Sequence, residues 1–113
     1  MNQDVTILVV DDEMPIRHLM SLLLKGFGTI EMAGSGKEAL EKVNTLNPDL
    51  IILDILMPEM NGYEVCQTIK GDDKTSSIPI VFLTANSSNE DEEYGLEIGA
   101  ADFIRKPISP RLV

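Results

Sequence analysis

A chain of 113 residues with 43% apolar side chains is one domain around a single hydrophobic core, too short for two cores and too apolar for disorder. A formal net charge of −10 makes it a poor partner for nucleic acid, because phosphates would be repelled over most of its surface. No apolar stretch approaches the roughly 20 residues of a membrane helix, the first four residues lack both parts of a signal peptide, and the lone Cys66 permits no internal disulfide, so a cytoplasmic protein is expected.

Apolar runs of strand length alternate with helical periodicity, the pattern of a parallel α/β sheet. The first run, residues 5–10, ends at Asp11-Asp12. Pro15 then suits the first turn of a helix, and Ile16, Leu19, Met20, Leu23 and Leu24 hold one apolar stripe that Gly26 and Gly28 should end. Residues 29–33 alternate polar and apolar and read as a partly exposed strand. Ser35 can cap the next helix, whose Ala39, Leu40, Val43 and Leu46 share a face before Asn47-Pro48 stops it.

The third strand, residues 50–53, is wholly apolar and ends at Asp54. A loop through Met57-Pro58 and Asn61-Gly62 leads to a helix over about 62–70, then to a polar loop, 71–77. The fourth strand, 80–83, ends at Thr84. A helix follows from near Ser87-Ser88 to Gly99, with acids at 90–93 that favour its N-terminus. The fifth strand, 102–105, leads to Lys106-Pro107. Ser109-Pro110 is a good start for a fifth helix, yet the sequence ends at Val113. We therefore expect residues 1–113 to form a single domain with its last helix truncated. One sheet face should then be left apolar, favouring self-association.

Strand composition also orders the sheet. The first, third and fourth strands suit burial on both faces, whereas Glu31, Asp102 and Arg105 mark the second and fifth as edges. Right-handed crossovers then favour a doubly wound, flavodoxin-like sheet of order 2-1-3-4-5. Ligands bind such sheets at the carboxyl ends of the strands, beside the switch point between strands one and three. Asp11, Asp12 and Asp54 fall there.

Each site residue has a plainer reading. Asp11 and Asp12 can serve as a helix N-cap pair, Lys106 as a solvated lysine and Thr84 as an ordinary strand-end threonine. Asp54, closing an apolar strand, needs partners. Together the three carboxylates can hold Mg²⁺, a hard cation that takes one or two carboxylates plus waters and phosphate oxygens. Lys106 then becomes a counter-ion and Thr84 a hydroxyl donor for phosphoryl oxygens. His18 and Cys66 read as surface or packing residues.

Five motifs stand in order: Asp11-Asp12-Glu13; Asp54 within Leu53-Asp54-Ile55-Leu56-Met57-Pro58, with Asn61-Gly62 beyond it; Thr84-Ala85; Gly99-Ala100-Ala101-Asp102-Phe103; and Lys106-Pro107. In these the chain resembles the receiver domain of two-component response regulators, the CheY-like superfamily, over nearly its whole length. The resemblance implies that Asp54 accepts phosphate from a histidine kinase or phosphotransfer protein. It implies that Asp11, Asp12, Asp54 and the backbone carbonyl of Leu56 bind Mg²⁺ or Mn²⁺, and that Lys106 pairs with the phosphoryl group. Thr84 and Phe103 would form the switch, with a signal passed to a partner or effector domain, and the Lys106-Pro107 bond would be cis. Phe103 also reads as plain core, and it lacks the hydroxyl of the tyrosine common in relatives. Leu56 and Asn86 occupy the positions that tune loss of the phosphate.

Two other families bear comparison. A haloacid-dehalogenase-like phosphohydrolase wants a second Asp two residues past the nucleophile, where Leu56 stands. A flavin binder on the same sheet wants a hydroxyl-rich phosphate loop where Asp11-Asp12-Glu13 stands.

Overall fold

The protein is described from a computed structural model that covers residues 5–84 and 89–105, without the side chains of residues 84 and 89–92. The elements run β1 (Thr6–Val10), α1 (Met14–Leu24), a 3-10 turn (Lys25–Phe27), β2 (Thr29–Ala33), α2 (Gly36–Leu46), β3 (Leu50–Asp54), α3 (Gly62–Lys70), β4 (Ile80–Thr84), α4 (Asn89–Glu97) and β5 (Asp102–Arg105). All five strands pair in parallel in the order β2-β1-β3-β4-β5, as the apolar patterning predicts.

The strands point alternate side chains to opposite faces, so each sends two sets of residues into two cores. Leu8, Val10, Ile51, Leu53, Ile80 and Phe82 pack with Ala39 and Val43 of α2 and Val65, Cys66 and Ile69 of α3. Ile7, Val9, Ile52 and Leu83 face the other way, against Met20, Ile16 and Leu24 of α1. Residues 7–10 of β1 and 51–54 of β3 are buried throughout, whereas β2 and β5 keep part-exposed residues as edges do. On the α1 face Val81 and Ile104 remain only partly buried. The start of a fifth helix at Ser109-Pro110 lies outside the described residues.

Helix ends are set by local chemistry. Ser35 Oγ accepts the Glu38 N–H at 3.1 Å, and Asn47, in the left-handed region at φ 50°, closes α2 with its N–H on the Val43 carbonyl. Asn61 and Glu64 form a reciprocal capping box on α3: Asn61 Oδ1 accepts the Glu64 N–H at 3.0 Å, and Glu64 Oε1 accepts the Asn61 N–H at 2.9 Å. Two expectations need correction at α1. Its N-cap is Glu13, not Asp11 or Asp12, and no side chain caps it. Its α-helical part also ends earlier than expected, at Leu24, and passes into the 3-10 turn that contains Gly26 and that Gly28 closes.

The polar segment after α3 is firmly tied. Lys70 Nζ donates to the carbonyls of Ser76 (3.0 Å) and Ile78 (2.6 Å), and buried Thr75 Oγ1 donates to the Ile69 carbonyl at 2.7 Å. Behind β4, Phe82 meets Tyr63 edge-on at 5.4 Å and Phe103 at 5.5 Å, while Tyr63 also meets Tyr94 at 4.9 Å. The Cys66 thiol is fully buried and points at the Ile98 carbonyl, 3.8 Å away, tying α3 to the segment that follows α4.

Candidate functional site

Strand register assembles the site. Val10 pairs with Leu53, so Asp11 and Asp54 are the next residues on adjacent strands, at the carboxyl edge beside the switch point. Asp54 in turn pairs with Leu83, which puts Thr84 one residue further along β4. Thr84 pairs with Arg105, the residue before Lys106.

One carboxylate oxygen from each of Asp11, Asp12 and Asp54 lies within 4.8 Å of the others. Asp11 and Asp54 are buried, whereas Asp12 is exposed and forms the outer lip. Asp11 Oδ1 accepts the Glu13 N–H at 2.9 Å, and the Asp11 N–H donates to the Ala33 carbonyl at 3.1 Å. This pair therefore does not cap a helix; it turns carboxylates toward Asp54. Three carboxylates this close repel one another unless a cation or proton intervenes. All-oxygen donors at this spacing, with an open side toward solvent, fit a hard divalent cation that keeps several waters.

The loop after Asp54 shapes the rim. The Ile55 N–H donates to the Leu83 carbonyl (3.2 Å) and the Gly62 N–H to the Ile55 carbonyl (2.8 Å). The Met60 N–H donates two residues back to Pro58 at 2.8 Å, and Glu59 between them has φ 71°. That is a three-residue turn of the strained, positive-φ kind, and its Met60 lies against Gly36 at the start of α2. Leu56 is 66% exposed, so its side chain belongs to the rim and not to the core. Phe103 is half-buried against the α2/α3 core. Lys106, Pro107 and Asn86 lie outside the described residues, as does the cis bond expected at Pro107.

One participant escaped sequence reasoning. Arg17 Nη1 donates to the Asp11 backbone carbonyl at 2.8 Å, so a residue of α1 reaches the acid cluster. No local motif marks it, because the bond depends on where the chain turns between β1 and α1.

A five-stranded parallel sheet of order 2-1-3-4-5 with an acid cluster at its switch point defines a flavodoxin-like doubly wound α/β protein. The profile of the response regulator receiver domain matches residues 7–113, and the chain belongs to that family. A probable cyclic di-GMP phosphodiesterase of Vibrio cholerae is 48% identical over 104 residues, which are 92% of this chain and 24% of that protein. The DNA-binding response regulator MtrA of Mycobacterium tuberculosis is 42% identical over 106 residues, 93% of this chain and 45% of that protein. Among solved structures, the Vibrio cholerae chemotaxis protein CheY4 superposes with a TM-score of 0.87 at 33% identity, covering 95% of this chain and 90% of that one. The N-terminal domain of a response regulator receiver protein from Methanoculleus marisnigri does so with a TM-score of 0.84 at 38% identity, covering 95% and 88%.

The chain thus spans about a quarter to a half of the curated relatives it matches, but most of the receiver structures. It is a receiver domain of the two-component system, a phosphorylation-activated signalling switch. Receiver domains of response regulators are in general signalling modules and not enzymes. No helix among the described residues is long and apolar enough to cross a membrane.

Proposed function

We propose that Asp54 is the phospho-accepting residue, that Asp11, Asp12, Asp54 and the Leu56 carbonyl hold Mg²⁺, and that Lys106, Thr84 and Phe103 read the modification. The observation that carries this reading is the burial of Asp54 at the end of β3 with its carboxylate in reach of Asp11 and Asp12. A divalent cation there would offset the carboxylate repulsion and the charge of an incoming phosphoryl group.

Transfer needs an in-line approach of an Asp54 oxygen to phosphorus. A P–O bond forms as the P–N bond of the donor phosphohistidine breaks, and the departing imidazole nitrogen keeps the electron pair and takes a proton. Lys106 would neutralise phosphoryl oxygens, and Thr84 would donate its hydroxyl to one of them, drawing the end of β4 inward. Phe103 would then turn into the space that Thr84 leaves, changing the surface offered to a partner. On this reading residues 1–113 would form one receiver domain, cytoplasmic, with a kinase or phosphotransfer protein as donor and a partner or effector domain as recipient. Beyond catalysing its own phosphorylation and slow dephosphorylation, the domain would turn over no substrate.

Incubation with Mg²⁺ and acetyl phosphate, followed by mass spectrometry, tests this. One added phosphoryl group, absent from Asp54→Ala and from protein treated with chelator, is the expected result. Modification that persists in Asp54→Ala, or turnover of the phosphodonor with no accumulation of modified protein, would overturn it.

A further inference from the structure

We propose that Arg17 is a positioning residue for the cation site, holding Asp11 in its binding geometry from α1. The proposal rests on the reading of Asp11, Asp12 and Asp54 as that site.

Three hydrogen bonds close a ring on Asp11. Asp11 Oδ1 accepts the Glu13 N–H (2.9 Å), the Glu13 carbonyl accepts the Arg17 N–H (3.2 Å), and the Asp11 carbonyl accepts from Arg17 Nη1 (2.8 Å). Since the Asp11 N–H is already bound to the Ala33 carbonyl of β2, the guanidinium secures the other end of the same residue. A carboxylate with its main chain held at both ends has little freedom to swing away from Asp54. Preorganisation of this kind is what outer partners supply to metal ligands.

The guanidinium sits beside the turn from β2 to α2. Gly34 leaves it room, since a Cβ there would stand 3.1 Å from Nη1. Glu38 Oε1 accepts the Gly34 N–H at 2.8 Å, Glu38 Oε2 pairs with Lys42 Nζ at 3.3 Å, and Lys42 Nζ donates to the Met32 carbonyl on β2. The charge of Arg17 is among those that lower the Glu38 pKa, after the Gly34 N–H and Lys42, so the two side chains sense each other. Glu38 thereby offsets a positive charge that would otherwise face an arriving cation. Removing Arg17 should accordingly loosen Asp11 more than it relieves repulsion.

Calorimetric titration with Mn²⁺ of the parent, Arg17→Met and Glu38→Gln separates these effects. Arg17→Met should bind roughly ten-fold more weakly, at low and high salt alike. Glu38→Gln, which leaves the guanidinium charge uncompensated, should bind more weakly at low salt and recover at high salt. Arg17→Met binding as tightly as a parent that binds, or more tightly, overturns this inference alone, because the guanidinium would then not position Asp11. If Arg17→Met lacks the circular dichroism of the parent, Glu38→Gln decides, and unchanged affinity at low salt overturns the proposal. A parent that binds no Mn²⁺ overturns the cation-site reading and this inference with it.

Discussion

Gly62 lies directly against the main chain of Asp54: a Cβ at position 62 would stand 2.3 Å from the Asp54 carbonyl oxygen and 2.8 Å from Ile55 Cα. The first residue of α3 is thus a spacer for the end of β3, and the obstacle is backbone that cannot swing aside. Gly62→Ala should destabilise the domain by about 3 kcal/mol, the upper end for overpacking. Urea unfolding checks it, and a midpoint equal to the parent's would defeat it. Asn61→Ala, which removes one half of the capping box next door, should cost about 1 kcal/mol.

Binding of a divalent cation to the folded state alone must raise stability. At a hundred-fold excess of Mg²⁺ over its dissociation constant the gain is about 2.7 kcal/mol. Asp12→Asn should lose most of that gain, while in chelator it should be at least as stable as the parent because one of three crowded charges is gone. Thermal melts of both proteins with and without Mg²⁺ give the answer. A destabilised Asp12→Asn in chelator would contradict the repulsion argument.

Leu56 is an exposed leucine two residues past the proposed acceptor, and its hydrocarbon side chain can orient no water. Leu56→Asn should therefore shorten the lifetime of the aspartyl phosphate, by up to roughly ten-fold. Decay of the purified phosphorylated proteins measures this directly. Equal or faster loss from the parent would count against it.

The Glu38 carboxyl titrates below its ordinary value of 4.5, chiefly because the Gly34 N–H bonds it, with burial opposing and Lys42 and Arg17 assisting. A depressed folded pKa means stability that is present above pH 4.5 and fades as pH falls through the folded value. Glu38→Gln should lose less melting temperature than the parent between pH 5 and pH 3, an interval chosen to bracket that value. Parallel curves would show that Glu38 does not couple to folding. The effect should be modest, since the side chain is 45% exposed.

The strands were legible because burial on both faces demands unbroken apolar runs, as in residues 7–10 and 51–53. Asp11 and Asp54 stood out for the same reason, as charges ending such runs. Strand order followed from composition, with Glu31, Asp102 and Arg105 marking edges. Helix ends were legible where the cap is local, as with Ser35, Asn47 and Asn61. At α1 the cap fell on Glu13, whose side chain plays no part, so residue type carried no signal. Arg17 was hidden for a different reason. It reaches from α1 to the Asp11 carbonyl, a contact that depends on the turn between β1 and α1 and leaves no local motif. The ties from Lys70 to Ser76 and Ile78 were likewise invisible in a stretch that looked like loose polar loop.

The seat of Cys66 between α3 and the chain after α4 has a practical corollary. Burial pushes its thiol pKa up, with Lys70 opposing, and the sequence contains no other thiol. A disulfide reagent should therefore find nothing to attack until the α3 side of the core opens, and the labelling rate then counts those openings. Loading the acid cluster on the far side of β3 should slow that clock, so one native atom can report at a distance how tightly the switch is held shut.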